Sequence, residues 1–145
     1  HLALNKALIN VQALLHSCDG VCQNQVDSTV KIMVVPAYLD SVLLNFLSNA
    51  IKYRAPDRKL EINLSVTREN NFTVLSIKDN GLGIDLKHHR DKIFGMYITF
   101  HGNEDARGIG LFLSKNQIEA MGGRVDVESE VNVGSTFKIY FHEKN

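Results

Sequence analysis

Three stretches of this 145-residue chain carry residue types at spacings that could do chemistry. The first is Asn45, Asn49 and Lys52, which at 100° per residue fall within an arc of roughly 60° on one side of a helix. Two amide oxygens and an ammonium in one stripe can hold a metal-bound polyphosphate. Magnesium prefers oxygen ligands and keeps phosphate oxygens and waters in its shell, so neutral amides suffice. Lysine adds a point cation for the phosphates. The same residues also suit a plain solvated face. The second stretch is Asp79-Asn80-Gly81-Leu82-Gly83-Ile84. Strand parity puts Asp79 on the face of Leu75 and Ile77, where a carboxylate needs a donor, and an amino group such as adenine's would supply one. The glycines allow close backbone approach, although an ordinary Asp-Asn-Gly turn reads the same way. The third is Gly108-Ile109-Gly110 at a helix start, where free N–H groups and the helix dipole attract anions. A lone Gly-x-Gly serves equally as a capping turn. It lacks the Gly-Lys-Ser/Thr ending of a P-loop, and no dinucleotide fingerprint follows an early strand.

The elements that must hold these residues follow from periodicity. Leu4, Ala7, Leu8, Val11, Leu14 and Leu15 recur at helical spacing over 3–15. Two short strands are expected between Val21 and Val35. Pro36 suits a first helical turn, and Leu39, Val42, Leu43, Phe46, Leu47, Ala50 and Ile51 form the apolar face of a helix reaching about Tyr53. Leu60, Ile62, Leu64 and Val66 alternate with polar residues as in a half-buried strand. A turn at Asn70-Asn71 then leads into a second strand, Phe72 to Asp79. A helix from about Ile109 to Met121 ends at Gly122-Gly123. Two last strands carry Val125 and Val127, then Phe137, Ile139 and Phe141, with the turn at 132–134. Helices and hairpins without regular βαβ alternation predict an α+β, two-layer domain.

Composition narrows the class. With 16 basic and 16 acidic side chains there is no electrostatic case for nucleic acid or a membrane surface. No apolar run approaches the ~20 residues of a bilayer span, and no signal peptide is recognisable. Two cysteines cannot build a disulfide framework, which points to a reducing, cytoplasmic setting. His16, Cys18 and Cys22 lack a second ligand pair for a metal. His88 and His89, being adjacent, diverge on a helix, and Tyr97–Phe100 suits packing.

Taken in order, the stretches resemble the ATP-binding catalytic domain of sensor histidine kinases, within the gyrase, chaperone, histidine kinase and MutL ATPase superfamily. The run from Leu43 to Tyr53 is similar to the family's N box, Asp79 to Ile84 to its G1 box, Lys92 to Tyr97 to its F box, and Gly108 to Leu113 to its G2 box. Gly134-Ser135-Thr136-Phe137 is similar to its last glycine-rich strand start. The likeness covers about 36–141. It implies a Bergerat-type fold: a two-layer α/β sandwich with a mixed sheet of about five strands on about three helices, all one domain over 1–145. Residues 1–17 would be a helix leading from a dimerisation hairpin, and about 98–107 an ATP lid.

The resemblance also implies roles. Asn49 would bind Mg2+, with Asn45 a second ligand or a neighbour of the phosphates, Lys52 a phosphate contact, and Tyr53 a wall against adenine. Asp79 would take the adenine amino group, with Gly81, Gly83, Ile84 and Thr136 close by. Gly108, Ile109, Gly110 and Leu111 would meet the phosphates. Phe94 would position the lid or serve as plain core. Arg107 replaces the threonine of a common Gly-Thr-Gly, and either reaches the γ-phosphate or points into solvent. In the ATP-hydrolysing branches, a glutamate that activates water stands four residues before the metal-binding Asn. Here Asn45 stands there and is no base near neutral pH. The expected activity is therefore phosphoryl donation from Mg-ATP to a histidine on a separate helical domain, with a response regulator downstream. A stand-alone ATPase and a non-catalytic nucleotide module are the alternatives. His142-Glu143, on a terminal strand, does not suit the phosphate acceptor, so no acceptor is expected in the chain.

Overall fold

The computed structural model describes residues 2–3, 20–27, 29, 31–32, 34–83 and 107–142. In chain order the elements are β1 (Leu2–Ala3), β2 (Val21–Asn24), β3 (Lys31–Ile32), α1 (Pro36–Lys52), β4 (Glu61–Glu69), β5 (Phe72–Asp79), α2 (Arg107–Ala120), β6 (Arg124–Glu130) and β7 (Gly134–His142). Five strands form one mixed sheet in the order β2-β4-β5-β7-β6. β2 runs parallel to β4, and the other neighbours are antiparallel. α1 packs against α2, and α2 touches β6 and β7.

Alternation sorts the sheet's two faces. Leu64, Ile77, Phe137 and Val127 stand in one cross-strand row, and Val66, Leu75, Ile139 and Val125 in the next. α1 covers these rows with Leu39, Val42, Leu43, Phe46, Leu47 and Ala50, all buried at helical spacing. The Phe46 and Phe137 rings meet at 5.0 Å. Pro36 starts α1 where its missing N–H costs nothing. α2 stops in a Schellman arrangement: Gly123 N–H reaches Ile118 O, Gly122 N–H reaches Glu119 O, and Gly122 has φ +83°. Asn70 and Asn132, both at positive φ, make the two hairpin turns.

One expectation needs correcting. Leu2–Ala3, taken as part of a leading helix, is a short strand antiparallel to Lys31–Ile32. A two-residue strand offers too little alternation to compete with the helical period that follows it. The rest of that helix lies outside the described residues, as do Ile84, the Lys92–Tyr97 stretch with Phe94, His16, Cys18, His88, His89 and the lid before Arg107. Two of the expected helices, α1 and α2, are described.

Phe46 is 2% exposed at the centre of the helix–sheet contact. Phe46→Ala is expected to lower the free energy of unfolding by about 3–5 kcal/mol, read as a fall in denaturant midpoint at unchanged slope.

Candidate functional site

The core face ends in a polar row. Beyond Ile77 and Phe137, the register places Ile62, Asp79, Ser135 and Ser129 side by side. Asp79 Oδ1 accepts from Gly81 N–H at 2.8 Å and, more weakly, from Ser135 N–H at 3.4 Å. Ser135 and Ser129 share a hydrogen bond between their hydroxyls at 2.7 Å. Burial raises the Asp79 pKa above its ordinary 3.8, and the two N–H donors only partly offset this. The carboxylate thus sits at the rim of the core with two backbone donors on one oxygen.

The loop after Asp79 is held tightly. Leu82 N–H donates to Tyr53 O just past the end of α1, and Leu82 O accepts from Asn132 N–H in the β6–β7 turn. Asn80 Oδ1 accepts from Glu61 N–H, and its Nδ2 donates to Lys59 O. A Cβ on Gly81 would lie 2.7 Å from Tyr53 O, and one on Gly134 would lie 2.0 Å from Asp79 O. Gly83 has φ +73° and sits against the Glu130 carbonyl, so a backbone contact already requires this glycine.

α1 brings the amide stripe to the same end of the molecule, because Tyr53, which anchors the Asp79 loop, also caps the turn that carries Asn49. Asn49 is 7% exposed. Among the described residues its Oδ1 is one of three buried side-chain polar atoms without a hydrogen-bond partner, with Gln117 Oε1 and His142 Nδ1. Asn45 is turned toward α2, and its Nδ2 donates to the fully buried Ser114 hydroxyl at 2.9 Å. Lys52, half-buried, closes the last turn. Among the described residues no cluster of three or more His, Cys, Asp or Glu could hold a metal by itself. A neutral amide oxygen suits a cation already carrying phosphate oxygens and waters. Gly108, Ile109, Gly110 and Leu111 lie in the first turns of α2, as expected, and Arg107, expected in the lid, is the helix's first residue.

Thr136 is the correction here. It pairs with Lys78, so its side chain is on the face opposite Asp79, and Ser135 takes the neighbouring place. The same parity that puts Phe137, Ile139 and Phe141 in the core already assigned Ser135 to that face. A cavity of about 530 Å³ at this end of the strands is bordered by Thr136, Glu61, Lys78, Glu128 and Glu130, and also by Asp79, Ser129 and Ser135. Its excess of carboxylates would repel a polyphosphate. The sequence signals no role for Ser114 or Arg58, and for Asn80 only a place in the turn after β5. Ser114 lies four residues before buried Ile118, on one helix face.

The family described as histidine kinase-, DNA gyrase B- and HSP90-like ATPase matches residues 34–145. The chain belongs to that family. Within this family it is similar to sensor histidine kinases. It is 37% identical over 106 residues to the sensor protein RprX of Bacteroides fragilis, covering 70% of this chain and 20% of that protein. It is 29% identical over 116 residues to the signal transduction histidine-protein kinase ArlS of Staphylococcus aureus, covering 77% and 25%. The chain therefore spans a quarter or less of these relatives' length. In fold it matches the mycobacterial sensor histidine kinase MprB, with a TM-score of 0.79, 19% identity and coverage of 97% and 93%. It also matches the nucleotide-free catalytic domain of histidine kinase ThkA, with a TM-score of 0.80, 19% identity and coverage of 99% and 96%.

Because burial disfavours the charged form of Asp79, folding is aided when it is protonated. That aid is complete below 3.8 and is lost as pH rises through the higher folded value. At neutral pH, Asp79→Asn keeps an acceptor for Gly81 N–H and removes the buried charge. Its thermal midpoint without nucleotide is expected to equal or exceed that of the unsubstituted chain. A drop of several degrees would mean that the carboxylate is a structural anchor.

Proposed function

We propose that this ATPase-family domain binds Mg-ATP between the Asn45/Asn49 side of α1 and the start of α2, and donates the γ-phosphoryl group to a histidine of a separate helical dimerisation domain. The observation that carries the reading is the orphaned, buried Asn49 oxygen. It lies one turn before Tyr53, the residue that anchors the loop of Asp79. A buried amide oxygen without a donor is costly unless a cation or water completes it.

Asp79 accepts the adenine amino group on the oxygen that Gly81 and Ser135 leave available, and Tyr53 and Gly81 border the base. Gly83 and Ile84 belong to the same base side by their family motif, and Phe94 packs to position the lid. Asn49, with Asn45 beside it, holds Mg2+, which neutralises phosphate charge. Lys52, Arg107, Gly108, Ile109, Gly110 and Leu111 supply the cationic and N–H environment of the phosphates. The protein's contribution is positioning and charge neutralisation. The bridge from the γ-phosphorus to ADP breaks as a phosphorus–nitrogen bond forms to the imidazole. Asn45 cannot act as a base toward water, and its Nδ2 is engaged with Ser114, which favours transfer over hydrolysis. This domain works in the cytoplasm beside a response regulator, whether or not the parent kinase is anchored in a membrane. Among the described residues no helix is long and apolar enough to cross a membrane.

Calorimetry with a non-hydrolysable ATP analogue tests the site. Asp79→Asn should abolish binding, and Asn49→Asp should remove the part that depends on Mg2+. In the unsubstituted chain, affinity should weaken as pH falls through the raised Asp79 pKa, because the protonated acid no longer offers an anionic acceptor. Wild-type affinity in Asp79→Asn would refute the adenine assignment. Incubated with labelled ATP, the chain alone should take up no acid-labile label, and an added hairpin domain from a related kinase should become labelled. Steady phosphate release without an acceptor would favour the ATPase alternative.

A further inference from the structure

Arg58 lies in the loop between α1 and β4, among residues with no regular pattern. Its guanidinium nevertheless reaches three main-chain carbonyls on two distant segments. Nε donates to Asn80 O at 2.7 Å, and Nη2 donates to Gly81 O at 2.8 Å and Asn132 O at 2.8 Å. Nη1 is 3.2 Å from the exposed Asp57 carboxylate.

The peptide units show what these bonds do. Asn80 C=O and Gly81 N–H belong to one planar, trans peptide group, so fixing one end fixes the other. Arg58 holds the carbonyl end, and the N–H end is the 2.8 Å donor to Asp79 Oδ1. The next unit repeats the pattern: Arg58 holds Gly81 C=O, and Leu82 N–H is fixed to Tyr53 O. Two consecutive peptides are thus pinned at both ends, with the cation on the carbonyl side, where it also polarises the N–H groups. The third bond ties this pair to the β6–β7 turn, whose Asn132 N–H holds Leu82 O.

We infer that Arg58 is a positioning residue for adenine recognition: through the 80–81 peptide it aims the Gly81 N–H at Asp79 and so fixes the free carboxylate oxygen toward the base. This inference rests on the nucleotide reading proposed above. Lysine cannot reproduce it, since one ammonium lacks the rigid fork that spans separated carbonyls.

The test compares the unsubstituted chain with Arg58→Ala, Arg58→Lys and Asp79→Asn, at a temperature where circular dichroism shows each folded. Affinity for AMPPNP is measured by calorimetry with and without Mg2+, and amide exchange is followed at Gly81, Leu82 and the β4–β5 ladder. Arg58→Ala is expected to weaken AMPPNP binding by about tenfold, the scale of a lost charge-assisted hydrogen bond, and Arg58→Lys by an intermediate factor. The factor by which Mg2+ tightens binding should stay at the wild-type value, because Asn49 stands on a different element. Exchange should quicken at Gly81 and Leu82 while the β4–β5 ladder keeps its protection. A purely structural role would instead loosen the ladder and change both binding factors together. Wild-type affinity with unchanged Gly81 exchange in Arg58→Ala, or in Arg58→Lys should the alanine variant not fold, would overturn the inference. If those variants bind normally while Asp79→Asn does not, only the role of Arg58 falls. If the unsubstituted chain itself binds no AMPPNP, the nucleotide reading falls and takes this inference with it.

Discussion

Asp79 closes the core face of β5 with a negative charge one row beyond Ile77 and Phe137. Desolvation opposes its ionised form, and the main chain answers with N–H groups from Gly81 and Ser135. Those donors exist only because the chain turns sharply after β5 and because β7 begins directly opposite. Both conditions demand glycine: Gly81 against Tyr53 O, and Gly134 against Asp79 O. The geometry of one carboxylate thus fixes where a helix ends, where a strand starts and which two positions cannot carry a side chain.

The amide side of the site depends on the same join. α1 is held to the sheet by an apolar stripe and to α2 by the Asn45–Ser114 hydrogen bond. Its last turn is tied through Tyr53 to the Asp79 loop. A shift of α1 along its axis would therefore move Asn49 and the loop together, which keeps the spacing between the two ends of the site. Asn49 keeps an unmatched oxygen in a nearly closed position, and proteins tolerate such a cost mainly where a ligand completes the group.

Much of this was legible in the residues. The stripe from Leu39 to Ile51 and the alternation in β4, β5 and β7 are strong periodic signals, because each element buries one face on one core. Gly122-Gly123 marked the α2 cap, since the left-handed turn excludes most other residues. Asp79 stood out as a charge in phase with aliphatic neighbours. Taken as a unit, the Gly134–Phe137 motif points to Thr136, whereas strand parity assigns Ser135 to the face of Asp79. Arg58 carried no signal at all: its partners are carbonyls, which every residue has, so only the folded path of the chain reveals them. The β1–β3 pair was hidden for a related reason, since two-residue strands have no period.

β6 forms one margin of the sheet, and its outward residues Arg124, Asp126, Glu128 and Glu130 are charged and exposed. Another copy adding in parallel register would set carboxylate against carboxylate at Asp126, Glu128 and Glu130, and one adding antiparallel about Val127 would do so at the Asp126–Glu128 pairs. At the opposite margin β2 offers a template of only four residues. Among the described residues, the short β2 and the acidic run of β6 thus both weaken the sheet's margins as templates for strand addition.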